Sequence, residues 1–341
     1  MKIGVLGVGA IGGIIGGYLA RANHDVTLID QWPANVEHIK ANGITVTTFD
    51  QGPFTAQADA LHLGEVAAAR PSFDVVVLSV KSYDTLWAAK FIEPYLASGG
   101  YIMSAQNSIN EDAIASVVGW PRVTGCVVTL GAAMYEPGRP ERTSASDRPA
   151  FALGEPSGVT SPRLEAMAEV MGDAGVTRIT NNLWGDRWSK LAINCMSNAL
   201  AAITGLRSAE LRENSEIRGV SIAIAAELLT VAGGLGVSVE PINGVSADLF
   251  LAAATDGGAR EEVEQQMIES GKTIGSGRPS LAQDIVKGRK TEAAHLNGYV
   301  VRRALEVGVR TPVNRSIVDL IGRIETGDLE ASLSNLKHID Y

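Results

Sequence analysis

The sequence predicts a doubly wound parallel α/β sheet followed by an all-helical C-terminal domain. Two observations support this prediction: continuous apolar runs such as Asp74–Val80 in the first half, and long helical patterns of apolar residues after about residue 180. A continuous apolar run indicates a strand that is buried on both faces, as in parallel sheets covered by helices. We therefore predict a first domain over 1–180 and a helical second domain over 181–341.

The first strand and the turn that follows it are the most informative stretch. An apolar strand ends at Leu6 and leads into Gly7-Val8-Gly9-Ala10-Ile11-Gly12. In such a turn Gly7 permits the bend, Gly9 removes a Cβ where a pyrophosphate approaches, and Gly12 lets the next helix pack close to the sheet. The helix N-terminus also directs its amides at phosphate. We predict a Rossmann-type, dinucleotide-binding domain whose cofactor-binding residues include Gly7, Gly9, Ala10, Ile11 and Gly12.

The next strand ends in an acid at the position where such βαβ units bind ribose. The apolar run Val26–Ile29 is followed by Asp30. A carboxylate at this position accepts hydrogen bonds from the ribose hydroxyls. Asp30 is therefore predicted to bind the cofactor as well.

The remaining elements follow from apolar periodicity and from turn residues. In the first domain we predict strands over Ile44–Phe49, Phe54–Leu63, Tyr101–Ala105, Val123–Leu130 and Phe151–Leu153, with helices over Pro33–Lys40, Tyr83–Leu96 and Glu111–Val118. The polar segment Glu136–Pro149 is predicted to be an exposed loop. In the second domain we predict helices over Leu183–Ile203, Ile217–Leu235, Val245–Ala254 and Gln283–Glu306.

Composition and charge argue against several classes of protein. The 341 residues carry a net charge of −9, which disfavours broad attraction to nucleic acid or to anionic membranes. Glycine, asparagine or charge interrupts each long apolar run, so no membrane span is predicted, and the glycines before Ala20 argue against a signal peptide. Cys126 and Cys195 lack metal-ligand spacing, which favours a reduced, cytoplasmic setting.

One predicted helix of the second domain carries a polar stripe among apolar residues. Lys190, Asn194 and Asn198 fall at positions i, i+4 and i+8, which places an amine and two carboxamides on one helix face. Buried polar groups need partners, and a substrate is one candidate. A stripe that faces solvent or caps a neighbouring helix is the alternative.

Polar residues also follow two predicted central strands and open a late helix. Lys81 follows Val80, and Gln106-Asn107 follows Ala105, at strand ends that line the ligand crevice of an open parallel sheet. Each is equally consistent with ordinary loop polarity. Further along, Ser280 is predicted to be a helix N-cap and Glu292 to lie within that helix. A charged surface helix is the competing interpretation there.

Together, these residues resemble the ketopantoate reductase (2-dehydropantoate 2-reductase) family over essentially the full chain. The matching segments are Gly7–Gly12, Lys81, Gln106-Asn107, Lys190–Asn194 with Asn198, Arg278–Ser280, Gln283-Asp284 and Thr291-Glu292. The resemblance implies that Lys190 is the catalytic acid/base and that Glu292 partners it or the substrate hydroxyl. It also implies a homodimer in which Asn107, Asn194, Asn198 and Ser280 contact substrate and Lys81 and Asn107 lie at the cofactor.

Three positions depart from the family pattern. Ser108 replaces the usual glycine after Gln-Asn, and Ala294 replaces an acid two residues after the catalytic glutamate. Asp30-Gln31-Trp32 stands where the family commonly has an arginine for the 2′-phosphate of NADPH. Because a carboxylate repels that phosphate, NAD(H) is favoured and NADP(H) is the alternative cofactor.

The predicted activity is hydride transfer between a nicotinamide cofactor and a small 2-keto or 2-hydroxy acid. The enzymatic alternative is an NAD-dependent catabolic dehydrogenase of the 3-hydroxyacid type or of another small hydroxy acid. The 3-hydroxyacid class also carries a Lys-x-x-x-Asn helix after a Rossmann domain. A regulator that senses NADH without turnover is the alternative of another class. No metal is expected, since Glu292-x-x-His295 occurs once and di-iron bundles need two such motifs with two further glutamates.

Overall fold

The computed structural model describes residues 1–271 and 277–341. The chain divides into two compact units, Met1–Leu183 and Trp184–Tyr341.

The first unit is built on a large sheet and a small one. Its strands are β1 (Ile3–Leu6), β2 (Val26–Asp30), β3 (Ile44–Thr48), β4 (Phe54–Ala56), β5 (Asp59–His62), β6 (Phe73–Leu78), β7 (Leu96–Ser104), β8 (Val123–Val128), β9 (Ala132–Glu136), β10 (Arg139–Arg142), β11 (Pro149–Gly154) and β12 (Val176–Ile179). The large sheet has the order β12-β11-β8-β7-β6-β1-β2-β5, and the small one β4-β3-β10-β9. Neighbours in the large sheet are parallel except β8 and β11.

Helices cover both faces of the large sheet, and alternate residues of each central strand enter separate cores. The helices of this unit are α1 (Ala10–Arg21), α2 (Pro33–Asn42), α3 (Leu63–Ala69), α4 (Thr85–Ile92), α5 (Glu111–Val118) and α6 (Pro162–Gly172). Along β6, Val75 and Val77 belong to one apolar cluster, whereas Val76 and Leu78 belong to the other. This two-sided burial explains the continuous apolar run and confirms the predicted fold class.

Two predictions in this unit are wrong in detail. The single strand predicted over Phe54–Leu63 is two strands, because β4 pairs with β3 in the small sheet and β5 pairs with β2 in the large one. The predicted loop Glu136–Pro149 contains β10. Gly138 at φ +67° allows the chain to turn back there, and the guanidinium of Arg142 is buried and donates to the Ala174 carbonyl at 3.1 Å.

The second unit is helical. Its elements are α7 (Leu183–Ile193), a π-helical turn (Asn194–Asn198), α8 (Ala199–Thr204), α9 (Ser208–Glu213), α10 (Ser215–Gly234), α11 (Ala247–Ala253), α12 (Gly257–Gly271), α13 (Ser280–Val286), α14 (Asn297–Val307) and α15 (Pro312–Glu325). The predicted helix Leu183–Ile203 is therefore helical throughout, with a π turn between two α-helical segments. Helices α9, α12 and α15 lie outside the helices that the sequence predicts.

The prediction of one helix over Gln283–Glu306 is wrong, because the structure has two helices there, α13 and α14. Helix α13 ends at Val286, and Gly288 adopts φ +61°, where the Arg289 amide donates to the Asp284 carbonyl at 2.9 Å. Such a left-handed glycine ends a helix by turning the chain away from its axis. A 3₁₀ turn, Ala293–His295, then leads into α14.

Helix α10 is unusually apolar for its length. By length and composition it could cross a membrane, contrary to the expectation that no segment would qualify. Of its most apolar stretch, 67% is buried. A helix that is apolar on all sides and buried is typical of a core element, which accounts for its composition.

Candidate functional site

The glycine turn after β1 has the backbone that its sequence predicts. Gly7 adopts φ +94°, and a Cβ there would lie 2.7 Å from the Val80 nitrogen, so only glycine fits. Gly9 caps α1, yet a Cβ on it would meet no protein atom within 4 Å. The first unit itself therefore does not require glycine at position 9, whereas an approaching ligand would.

Gly12 and Gly16 bring α1 close to the sheet. A Cβ on Gly12 would overlap the Gly7 carbonyl oxygen and the Ser79 hydroxyl, and one on Gly16 would overlap the Leu28 side chain. Ala10 and Ile11 form the first turn of α1, where backbone amides lack an intrahelical acceptor. The turn thus offers free amides beside an open space, a suitable arrangement for a pyrophosphate.

Asp30 ends β2 and is buried with its carboxylate held in place. One oxygen accepts from the Trp32 amide and the other from Asn35 Nδ2, both at 3.0 Å. Asn35 also donates to the Val8 carbonyl at 2.9 Å, and its own oxygen accepts from the Gly138 amide at 2.7 Å. Asn35 therefore orients Asp30 against the glycine turn, a role that nothing in its predicted helix signalled.

Lys81 and Asn107 lie at the ends of neighbouring parallel strands, β6 and β7. Their loops are joined, since the Ser82 hydroxyl donates to the Asn107 carbonyl at 3.0 Å and Gln106 Nε2 donates to the Val80 carbonyl at 2.9 Å. Gln106 is buried, so its side chain ties the loops together. Lys81 and Asn107 are each half-buried at this edge.

Ser108 has a backbone conformation that favours glycine. Its φ is +69°, in the left-handed region where a Cβ is unfavourable, and its side chain is buried. This chain therefore holds a serine in a conformation that glycine adopts without strain.

In the second unit, Lys190 lies one turn before the C-terminal end of α7 and is half-buried. Burial lowers the pKa of its ammonium below the ordinary value of 10.5. Within the described part of the chain, no carboxylate forms an ion pair with Lys190. An amine in this state can donate or accept a proton closer to neutral pH than an exposed lysine can.

Asn194 and Asn198 open and close the π turn that follows α7. The Ala199 amide donates to the Asn194 carbonyl five residues earlier, which is the bond that defines this wider turn. Asn194 is buried, and Asn198 is half-buried. Short π turns within α-helices are frequent at functional sites.

Ser280 and Glu292 differ from their predicted settings. Ser280 is the first residue of α13, and Pro279 rather than Ser280 occupies the N-cap position. Glu292 precedes a 3₁₀ turn and is only 2% exposed, so it is not a surface-helix charge. Helix α13 packs against α8 and the π turn, and Asn297, just after Glu292, bonds to the Cys195 carbonyl. The segments that carry Asn194, Asn198, Ser280 and Glu292 thus adjoin one another within this unit.

Among residues 1–271 and 277–341, no group of three or more His, Cys, Asp or Glu side chains could hold a metal ion.

Comparison with protein families matches both units. The family model described as "Ketopantoate reductase PanE/ApbA" matches residues 3–155, and the model for the C-terminal region of that family matches residues 182–325. The 2-dehydropantoate 2-reductase of Pyrococcus abyssi is 29% identical over 325 residues, covering 94% of this chain and 97% of that protein. The 2-dehydropantoate 2-reductase of Pyrococcus horikoshii is 27% identical over 319 residues, covering 92% and 94%.

Solved structures give the same result for the fold. The PanE/ApbA family ketopantoate reductase of Ralstonia eutropha JMP134 has a TM-score of 0.79 at 29% identity, covering 96% of this chain and 99% of its own. A D-mandelate dehydrogenase solved with NADH and anilino(oxo)acetate has a TM-score of 0.81 at 22% identity over the same shares of the two chains. At that identity the second likeness concerns the fold alone.

Proposed function

The chain belongs to the ketopantoate reductase family of oxidoreductases, and we propose that it transfers a hydride between NAD(H) and a small 2-keto or 2-hydroxy acid. The observation that carries the proposal is the half-buried Lys190 in α7, followed directly by the π turn that carries Asn194 and Asn198. Family membership supports the reaction class, and the residues of each unit support the assignment of roles.

The first unit has the features needed to hold a dinucleotide. Open space beside Gly9, the left-handed Gly7 and the first amides of α1 suit the pyrophosphate, and the Asp30 carboxylate suits a ribose diol. Lys81 and Asn107 are proposed to lie at the nicotinamide end. When bound, the nicotinamide supplies a hydride to the carbonyl carbon, or accepts one in the reverse direction.

A preference for NAD(H) over NADP(H) is part of the proposal. Asn35 and the Trp32 amide hold the Asp30 carboxylate in place, so it cannot easily turn away from a 2′-phosphate. The repulsion between the two anions opposes NADP(H), and the residues that follow, Gln31 and Trp32, add no positive charge.

Lys190 is proposed to donate a proton to the carbonyl oxygen as negative charge develops there, and to accept it back in the oxidation. Its lowered pKa brings proton transfer nearer to neutral pH. Asn194 and Asn198 can both donate to and accept from hydroxyl or carbonyl oxygens, and Ser280 suits a carboxylate oxygen. Glu292, buried in the same unit, is proposed to accept a hydrogen bond from the substrate hydroxyl or to partner Lys190.

The proposal also covers assembly and location. Membership of the family supports a homodimer, and one ketopantoate reductase of the same fold, from Staphylococcus aureus, is described as dimeric. Cys126 and Cys195 are both buried thiols, which agrees with the reducing cytoplasm. Sedimentation of the purified protein tests the dimer directly.

A substrate panel tests the proposed activity. The protein is assayed with 2-keto acids, including 2-dehydropantoate, and with the matching 2-hydroxy acids and 3-hydroxy acids, each with NAD(H) and NADP(H). We expect turnover of at least one 2-keto acid with NADH. Turnover confined to 3-hydroxy acids would instead identify the alternative dehydrogenase class, and binding of NADH without any turnover would identify a sensor.

A further inference from the structure

The π turn changes which side chains share a face with Lys190. In an α-helix, a step of four residues overshoots a full turn by about 40°, so Asn194 and Asn198 would drift progressively around the axis. A π turn holds more residues per turn, and its i→i+5 bond from Ala199 to Asn194 closes over the segment that ends at Asn198. The wider turn therefore rotates Asn198 back toward the face that carries Lys190.

A buried amide from a distant helix contacts this turn. Asn297, the first residue of α14, is fully buried, and its Nδ2 donates to the Cys195 carbonyl at 3.3 Å and to Asn314 Oδ1 at 3.0 Å. Both hydrogens of that amide are therefore used. One of them holds a carbonyl inside the π turn.

The direction of these hydrogen bonds is set by Glu227. Asn314 Nδ2 donates to Glu227 Oε2 at 2.7 Å, and the same carboxylate accepts from the Val313 and Asn314 amides, each at 2.9 Å. Because Asn314 directs its Nδ2 at Glu227, its Oδ1 faces Asn297. Asn297 must then present its Nδ2, and not its oxygen, to both Asn314 and the Cys195 carbonyl.

We propose that Asn297 is a positioning residue that holds the π turn in the shape which aligns Asn198 with Lys190. The proposal rests on the proposed function of Lys190 and Asn198. Asn297 also lies five residues after Glu292, so the same amide ties the Glu292 segment to the helix that carries Lys190. The Trp188 and Tyr299 rings, 5.8 Å apart at their centroids, join α7 and α14 a short distance away.

The test compares two isosteric substitutions in the same unit. Asn297→Asp replaces the donor amide by an oxygen, which opposes the Cys195 carbonyl and Asn314 Oδ1. Asn335→Asp is the matched control, because Asn335 is also buried and its Nδ2 donates to two carbonyls, those of Ile203 at 3.1 Å and Glu330 at 2.9 Å. Among the hydrogen bonds of the described residues, those of the Asn335 side chain go to Ile203 and Glu330 and none goes to the π turn.

We expect both variants to lose thermal stability, and only Asn297→Asp to lose catalysis. Its kcat/KM for the keto acid should fall roughly 10- to 100-fold, as expected when substrate contacts are misplaced by about an ångström. The dissociation constant of NADH should not change in either variant. In crystal structures, the π turn should be altered in Asn297→Asp and retained in Asn335→Asp. If Asn297→Asp does not fold, Asn297→Ser, which keeps one shorter donor, should show a smaller loss of the same kind.

Two outcomes would overturn the proposal. One is an unchanged π turn in the crystal structure of the Asn297 variant, and the other is an equal loss of kcat/KM in both variants. Failure of the proposed function would be seen separately, as absence of turnover by the wild type, and the two crystal structures would still decide whether Asn297 shapes the turn.

Discussion

Lys190 is proposed to serve catalysis, but burying its ammonium destabilises the folded protein. Burial lowers the pKa of its ammonium from 10.5, so the unfolded chain binds this proton more strongly than the folded chain does. Burying the ammonium lowers the free energy of unfolding by its full amount at pH values below the lowered pKa. This destabilisation decreases as the pH rises toward 10.5 and is absent above 10.5. Each unit of lowering corresponds to about 1.4 kcal/mol.

Replacing Lys190 by methionine should therefore stabilise the protein and inactivate it. We expect a higher free energy of unfolding than the wild type at neutral pH, with the difference narrowing as the pH approaches 10.5. The kcat should fall roughly 10²- to 10⁴-fold because the proposed proton donor is lost. Denaturant unfolding at several pH values measures the first effect. A less stable variant would show that Lys190 has a stabilising partner.

Asp30 should decide the choice between the two nicotinamide cofactors. The wild type is expected to have the higher kcat/KM with NADH, and Asp30→Ser should narrow the difference by removing the repulsion of a 2′-phosphate. Asn35→Asp offers a comparison, since it leaves Asp30 in place but removes the amide that orients it. A wild type that prefers NADPH tenfold or more would contradict this interpretation.

Replacing Ser108 by glycine should stabilise the protein. The left-handed φ of +69° costs a residue with a Cβ about 1 kcal/mol, which Ser108→Gly would recover in part, since glycine also gains entropy in the unfolded chain. Ser108→Ala is the control, because it keeps the Cβ and removes only the hydroxyl. We expect the melting temperature of the glycine variant to exceed that of the alanine variant. The reverse order would mean that strain at this position is negligible.

At the scale of elements, two glycines at the start of α1 have different roles: Gly12 is needed for packing, and Gly9 is proposed to leave room for the ligand. A Cβ on Gly12 would overlap the Gly7 carbonyl and the Ser79 hydroxyl, whereas a Cβ on Gly9 meets open space. Gly12→Ala should therefore destabilise the first unit, by roughly 1–3 kcal/mol for overpacking. Gly9→Ala should fold with little loss of stability and bind NADH more weakly. Calorimetric titration with NADH and thermal unfolding of both variants distinguish the effects, and unimpaired NADH binding by Gly9→Ala would place the pyrophosphate elsewhere.

Element boundaries show where local patterns stop being sufficient. The glycine turn, β2 and β6 follow from apolar runs and turn residues that act over a few positions. The break between α13 and α14 does not follow from such a pattern, because apolar residues continue at helical spacing on both sides of Gly288, which adopts a left-handed conformation and ends α13. Strand β10 does not follow from local pattern either, since its buried Arg142 donates to the carbonyl of Ala174, 32 residues further along the chain.

At the scale of the whole molecule, Lys190 and Glu292 are about a hundred residues apart in sequence and lie in the same unit. If both act on one transition state, their losses should not add. We expect Lys190→Ala and Glu292→Gln each to reduce kcat/KM, and the double variant to lose far less than the product of the two. Lys190→Ala with Asn335→Asp is the additive control. Additive losses for the first pair would mean that Glu292 acts independently of Lys190.

The sequence by itself determined the fold class, the glycine turn with Asp30, and the family resemblance, because each depends on residue type and spacing over short segments. Only the tertiary structure decided that Glu292 is buried, that Ser280 does not cap its helix, and that the polar stripe passes through a π turn. It also showed the hydrogen bonds by which Asn35 orients Asp30 and Asn297 holds the Cys195 carbonyl. These features depend on partners that are distant in the chain, and hydrogen bonds of that kind leave no local pattern in a sequence.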